Sequence, residues 1–186
     1  MDFFAAEGSP IGIIGGEPTL HPQFKDIITL TNKYCAFFNT RATLFTNGIE
    51  LAPYLSYFGD YIDSLININD PADIGYNKYN KILFALDKIS DLCWFGTRVT
   101  CGVNLHPNKH TYEYIWDIVD TYNLQVIRAS VVSPCGCYHT MKNDKDAYYN
   151  LMKPIFIRFC QEAEVHHCKI FLDCNYIPLC YFNEAE

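Results

Sequence analysis

The residues best placed to do chemistry stand near the start of the chain, where "IGIIGGEPTLHP" (11–22) runs from an apolar stretch into Gly15, Gly16, Glu17 and Pro18. Glycines at a strand's end tolerate positive φ and admit a ligand close to the backbone, while Pro18 fixes its own φ and turns Glu17 away from helix. Main-chain carbonyls are then left exposed beside a carboxylate. That combination suits a cationic ammonium group; a phosphate cradle would instead offer N–H groups at a helix start, usually with a lysine. A tight strand-to-helix turn with no ligand accounts for a bare Gly-Gly equally well.

A second set of reactive residues lies towards the other end. Cys168, Cys174 and Cys180, with His166 and His167 beside them, are the donor types that zinc takes, and buried thiols account for them as well. Cys135 and Cys137 are one residue apart, a spacing that rarely gives two ligands to one tetrahedral ion. Cys35, Cys93, Cys101 and Cys160 fall in helix or strand patterns and read as core. The nine cysteines are an odd number and no secretion signal precedes them, which favours free thiols or metal ligands in a reducing compartment over a disulfide framework.

Composition sets the outer limits. The 186 residues, 49% of them hydrophobic and 16% aromatic, supply the core of one globular domain, 1–186. A formal charge of −7 with scattered Lys and Arg argues against nucleic acid, so small molecules or polypeptides are the expected partners. No stretch approaches the about 18 apolar residues that span a bilayer, which makes the cytoplasm the default.

Strand and helix patterns take turns along the chain. Ile11 to Ile14 reads as a buried strand, followed by helical spacing of Phe24, Ile27, Ile28, Thr31 and Tyr34 behind Pro22. "ATLFTNG" (42–48) is a strand closed by an Asn-Gly turn, with a short apolar helix over Leu51 to Phe58. "DSLININD" (63–70) is the third strand, in which Leu65, Asn67 and Asn69 share one face and Ile66 and Ile68 the other. A helix carrying Ile82, Leu83, Leu86 and Ile89 follows Pro71. "TRVTCGVNL" (97–105), a helix over Tyr112 to Tyr122, "LQVIRASVV" (124–132), a long helix from about Asp144 to Val165 and "KIFLD" (169–173) complete the series. The one long irregular stretch, 133–147, stands just past a strand's C-terminal end, where α/β enzymes keep functional loops. Such alternation predicts parallel strands with right-handed crossovers, as an open doubly wound sheet or as a barrel or part-barrel; amides at a strand's C-terminal end suit a ligand-bearing lumen.

With these elements around it, "GGEPTLHP" closely resembles the second-strand signature of the radical S-adenosylmethionine superfamily. "LFTNG", "LININDP", "VTCGVNL" and "QVIRASVVSP" are similar to its third to sixth strands, so the resemblance covers almost the whole chain. It implies a partial TIM-type (β/α)6 barrel missing its first strand, with a short extra C-terminal strand. It implies that Gly15, Gly16, Glu17 and Pro18 receive the amino group of S-adenosylmethionine, that Asn67 contacts the ribose or the methionine carboxylate, and that Asn104 and Arg128 line the same cofactor site. For the last three, an amide satisfied by backbone or a structural ion pair explains the residue as well. The segment 167–186 resembles the start of a cysteine-rich C-terminal extension, in which Cys174 and Cys180 would be metal ligands.

The departure from the family is as informative. Its three cluster cysteines, spaced Cys-x3-Cys-x2-Cys, hold a [4Fe-4S] cluster, and no such triplet occurs in this sequence. The first strand and its cluster loop are therefore expected to be missing. The chain reads as an inactive fragment of an enzyme that generates a 5'-deoxyadenosyl radical to modify a substrate such as a peptide. Its first strand is expected to be a free edge prone to self-association. Two other classes stay open: a zinc-binding or interaction module built on the C-terminal Cys and His residues, and a metal-dependent barrel enzyme using Asp70 and Asp73.

Overall fold

The computed structural model of the protein describes residues 10–96, 98–109, 111–132 and 145–172. Strands β1 (Ile11–Ile13), β2 (Ala42–Thr46), β3 (Ile62–Asn67), β4 (Val99–Leu105), β5 (Val126–Val131) and β6 (Lys169–Leu172) alternate with helices α1 (Phe24–Phe38), α2 (Pro71–Ile74), α3 (Tyr76–Asp91), α4 (Glu113–Tyr122) and α5 (Lys145–Val165). The strands form one parallel sheet in the order β1-β2-β3-β4-β5-β6. A sequential strand order is that of barrel-type winding; a doubly wound sheet reverses its order midway. Of the two layouts open to the sequence, the barrel-type winding is the one found.

Three expectations are refined. β1 is half-exposed instead of buried, with Ile14 just beyond it 70% exposed. The short helix after β2 is a 3₁₀ helix, Ala52–Tyr57, opened by Pro53. The helix behind Pro71 is broken in two at Gly75, whose φ of 84° no helix accommodates, so that α2 is a single capped turn before α3. The irregular stretch 133–147 lies outside the described residues up to position 144.

The chain forms two compact units that divide within β4, Met1–Cys101 and Gly102–Glu186. In the first, register places Ala42, Leu44, Ile62 and Ile66 on the face that is fully buried, while Thr43, Phe45, Leu65 and Asn67 share the more open face. Phe24, Ile28 and Cys35 of α1 and Ile82, Leu86 and Ile89 of α3 supply its core; each large apolar side chain buried this way contributes about 1.5–3 kcal/mol. At the strands' N-terminal ends Arg41 Nε donates to Asp63 Oδ2 at 2.7 Å, bridging β2 and β3.

In the second unit Val103, Leu105, Ile127, Ala129 and Val131 are buried from β4 and β5, with Ile115, Trp116 and Val119 from α4 and Tyr148, Met152 and Phe159 from α5. Two ionisable groups are buried there in their neutral forms. Burial pushes the Cys168 thiol from 9.0 to about 11, and it pushes the Tyr112 hydroxyl from 10.0 to about 12 against the opposing hydrogen bond from the His106 N–H. Both folded-state values lie above the unfolded ones, so the stability they carry is complete below about pH 9 and is lost as pH rises through 11 to 12. Urea midpoints measured from pH 7 upwards are expected to hold level to about pH 9 and then to fall; a level profile to pH 12 would contradict this burial.

Candidate functional site

The chain leaves β1 through Ile14, Gly15 and Gly16 and reaches Glu17 in extended conformation, φ −144° and ψ 108°, as Pro18 dictates. Glu17 then caps a 3₁₀ turn, Pro18–Leu20. Its side chain does more than cap. Oε1 accepts from the Thr19 N–H at 3.2 Å, from the Thr19 hydroxyl at 2.7 Å and from the Thr46 hydroxyl at 2.7 Å, and Oε2 accepts from the Asn47 N–H at 2.7 Å. The Glu17 carboxylate thus joins the end of β1 to the end of β2. The β2 end is itself a built turn: the Gly48 N–H donates to Thr46 Oγ1 at 3.1 Å and the Ile49 N–H to Asn47 Oδ1 at 2.9 Å, with Gly48 at φ 77°. Thr19 and Thr46 are 2% and 3% exposed, so their bonds to the half-buried Glu17 are partly shielded from water.

Gly15 and Gly16 are not where positive φ is needed, contrary to the expectation for a Gly-Gly strand end: the glycines with positive φ among the described residues are Gly48, Gly75 and Gly96. Packing does not require them either, since a Cβ added at Gly15 or Gly16 would meet nothing within 4 Å. Both are exposed, next to a carboxylate that is tied down. The Glu17 carbonyl accepts from the Leu20 N–H at 3.2 Å and the Pro18 carbonyl from the His21 N–H at 3.0 Å. Of the carbonyls expected to face an ammonium, those of Gly15 and Gly16 are therefore the ones left to do so.

Asn67 ends β3 in the same unit, half-buried on the sheet's more open face, and its carbonyl accepts from Asn69 Nδ2 at 3.5 Å. Asn104 and Arg128 belong to the second unit. Register there pairs Gly102 with Arg128 and Asn104 with Ser130, so Asn104 and Arg128 share one sheet face, the amide exposed and the guanidinium residue 7% exposed. Thr19, Thr46 and the Asn47 N–H are the partners that sequence reasoning missed. A signal was present: a hydroxyl two residues after the glutamate, and another directly before an Asn-Gly turn at a strand end.

Metal donors do not converge. Among the described residues no group of three His, Cys, Asp or Glu side chains could hold an ion. His166 Nδ1 lies 2.9 and 3.0 Å from the Asp120 carboxylate oxygens with its ring stacked on Trp116 at 5.2 Å, and Cys168 is buried. Cys135, Cys137, Cys174 and Cys180 lie outside the described residues. Asp70 serves as a helix cap, accepting from the Ala72 N–H at 2.7 Å at the start of α2, where Asp73 occupies the first turn. No described helix is long and apolar enough to cross a membrane.

No protein-family model matches the sequence, and no curated protein does. Solved structures do match. The structure of Streptococcus suis SuiB bound to S-adenosylmethionine superposes with a TM-score of 0.61 at 13% identity, over 95% of this chain and 42% of SuiB. SuiB bound to the precursor peptide SuiA gives a TM-score of 0.62 at 13% identity, over 94% of this chain and 40% of SuiB. A further SuiB structure gives 0.57 at 12% identity, over 90% and 39%. Identity this low establishes a shared fold, and the chain spans about two-fifths of SuiB's length.

Proposed function

We propose that this chain is the S-adenosylmethionine-binding core of a radical S-adenosylmethionine enzyme that acts on a peptide. The observation that carries the reading is the Gly15-Gly16 strand end: two exposed glycines with no conformational or packing requirement, held beside a braced Glu17 in a "GGEP" motif. Glycine in such a place carries an entropic cost, and an approaching ligand is the remaining physical reason for it. In this reading the Gly15 and Gly16 carbonyls receive the methionine amino group, and Asn67, Asn104 and Arg128 serve the rest of the cofactor. The SuiB structures with S-adenosylmethionine and with a precursor peptide support the cofactor and the substrate class. A cytoplasmic setting and self-association at the β1 edge belong to the same proposal.

The described residues do not fit an iron-sulfur cluster. The sequence has no Cys-x3-Cys-x2-Cys triplet, and burial raises the Cys35, Cys160 and Cys168 thiols away from the thiolate form that binds iron. Cluster ligands, in this reading, are not supplied by the described residues. The function assigned to this chain is therefore cofactor binding and positioning.

Gly16→Leu separates the ligand role from a folding role. Because the added side chain enters open space, the unfolding free energy is expected to stay within about 0.5 kcal/mol of the parent, while S-adenosylmethionine binding measured by equilibrium dialysis is lost. Unchanged binding in a folded Gly16→Leu chain would remove the site from this strand end.

A further inference from the structure

A carboxylate beside a proposed ammonium site invites the assumption that the two form an ion pair. The hydrogen bonds around Glu17 argue for a different role. An ionised carboxylate only accepts, and it offers about four lone-pair positions. Three donors converge on Oε1, the Thr19 N–H, the Thr19 hydroxyl and the Thr46 hydroxyl, and the Asn47 N–H reaches Oε2. Two of these come from 29 and 30 residues away on the neighbouring strand, so they are tertiary contacts and not part of the local turn. The direction of the chain is fixed as well. Since Glu17 cannot donate, the Thr46 hydroxyl spends its proton on Oε1, and its oxygen is free to accept from the Gly48 N–H at 3.1 Å.

We infer that Glu17 is a positioning residue, whose carboxylate fastens the Gly15-Gly16 strand end to the Thr46-Asn47-Gly48 turn of β2 and thereby fixes where an amino group is received, instead of facing that amino group itself. The inference rests on the cofactor reading and adds that Thr46 belongs to the binding machinery although it contacts no ligand. An ammonium seeking Oε1 would have to displace one of three charge-assisted bonds, each roughly twice as strong as a neutral one, so that oxygen is committed to the brace. The carboxylate is the brace that keeps in place the backbone to which the cofactor reading assigns the amino group.

The two roles give opposite results in a double-mutant cycle. S-adenosylmethionine is titrated by NMR into the 186-residue chain and into Glu17→Gln, Thr46→Val, the double variant and Thr46→Ser, with the unfolding midpoint of each recorded. As a brace, Glu17 and Thr46 act as one unit. Each single substitution is expected to weaken binding by about tenfold, the double variant no further, and Thr46→Ser, which keeps the hydroxyl, is expected to bind like the parent. Parent-like binding by Thr46→Val alongside a loss in Glu17→Gln, or additive losses in the double variant, would overturn the inference and make Glu17 a direct contact. Parent-like binding by both would overturn it too. Failure of the unsubstituted chain to bind would overturn the cofactor reading. That outcome is distinguished by amide exchange in the ligand-free chain, where a brace without a cofactor still shows the Asn47 N–H protected in the parent and exposed in Glu17→Gln.

Discussion

Replacing Gly48 by alanine is expected to destabilise the first unit by about 2–5 kcal/mol, from left-handed backbone strain of about 1–2 kcal/mol and overpacking of about 1–3 kcal/mol. Gly48 sits at φ 77°, and a Cβ there would stand 2.8 Å from Ile66 Cγ2 and 3.6 Å from Ile82 Cγ2. Neither isoleucine can retreat, because both are fully buried, one in β3 and the other in α3. The Gly48 N–H is also the donor to Thr46 Oγ1, so the strain reaches the turn that braces Glu17. Urea unfolding should show a lower midpoint at unchanged slope; a Gly48→Ala chain as stable as the parent would mean that β2 ends differently from the turn described here.

Trp116→Ala is expected to cost the second unit about 3–5 kcal/mol, the range for truncating a buried aromatic. Trp116 is 4% exposed on α4 and holds three parts of α5 and its exit: its ring lies 4.8 Å from Phe159 and 5.2 Å from His166, and Nε1 donates to Glu162 Oε2 at 2.7 Å. Trp116→Phe keeps an apolar ring and loses the donor to a part-exposed carboxylate, so its hydrogen-bond loss should be nearer 1 kcal/mol. Equal losses from the two substitutions would assign the stability to the hydrogen bond and not to the ring.

Much of this architecture could be read from residue periodicity. Alternating burial along Ile62–Asn67 put Leu65 and the Asn67 amide on one face, as their spacing required, because a strand's side chains have no other choice; β3 ends before the second amide, Asn69. The apolar spacing of Ile82, Leu86 and Ile89 and the Asn-Gly turn after β2 were legible for the same local reason. The break at Gly75 was not, since a glycine inside an apolar pattern is tolerated in a helix as often as it ends one. β1 was read as buried because its residues are apolar, but burial depends on what covers a strand, and that is not encoded in the strand itself.

At the candidate site the division is similar. The extended backbone of Glu17 follows from Pro18 and was foreseen. The direction of its carboxylate depends on Thr46 and Asn47, brought next to it by the parallel pairing of β1 with β2, and no local pattern contains that information. The glycines were assigned to the site for two reasons: left-handed φ is not found at either, and the space beside them is open.

The central claim is that the strand end at Gly15 to Glu17 receives the amino group of S-adenosylmethionine. Titration of the ¹⁵N-labelled 186-residue chain with S-adenosylmethionine tests it most directly, with methylthioadenosine, which lacks the amino-acid moiety, as the matched control. A few hydrogen bonds of about 1–3 kcal/mol each predict saturable binding on the order of millimolar. The largest shifts are expected at the Gly15, Gly16 and Glu17 amides, and methylthioadenosine should leave those amides unmoved. No saturable shift, or shifts that spare residues 15–17 and are the same for both ligands, would contradict the account.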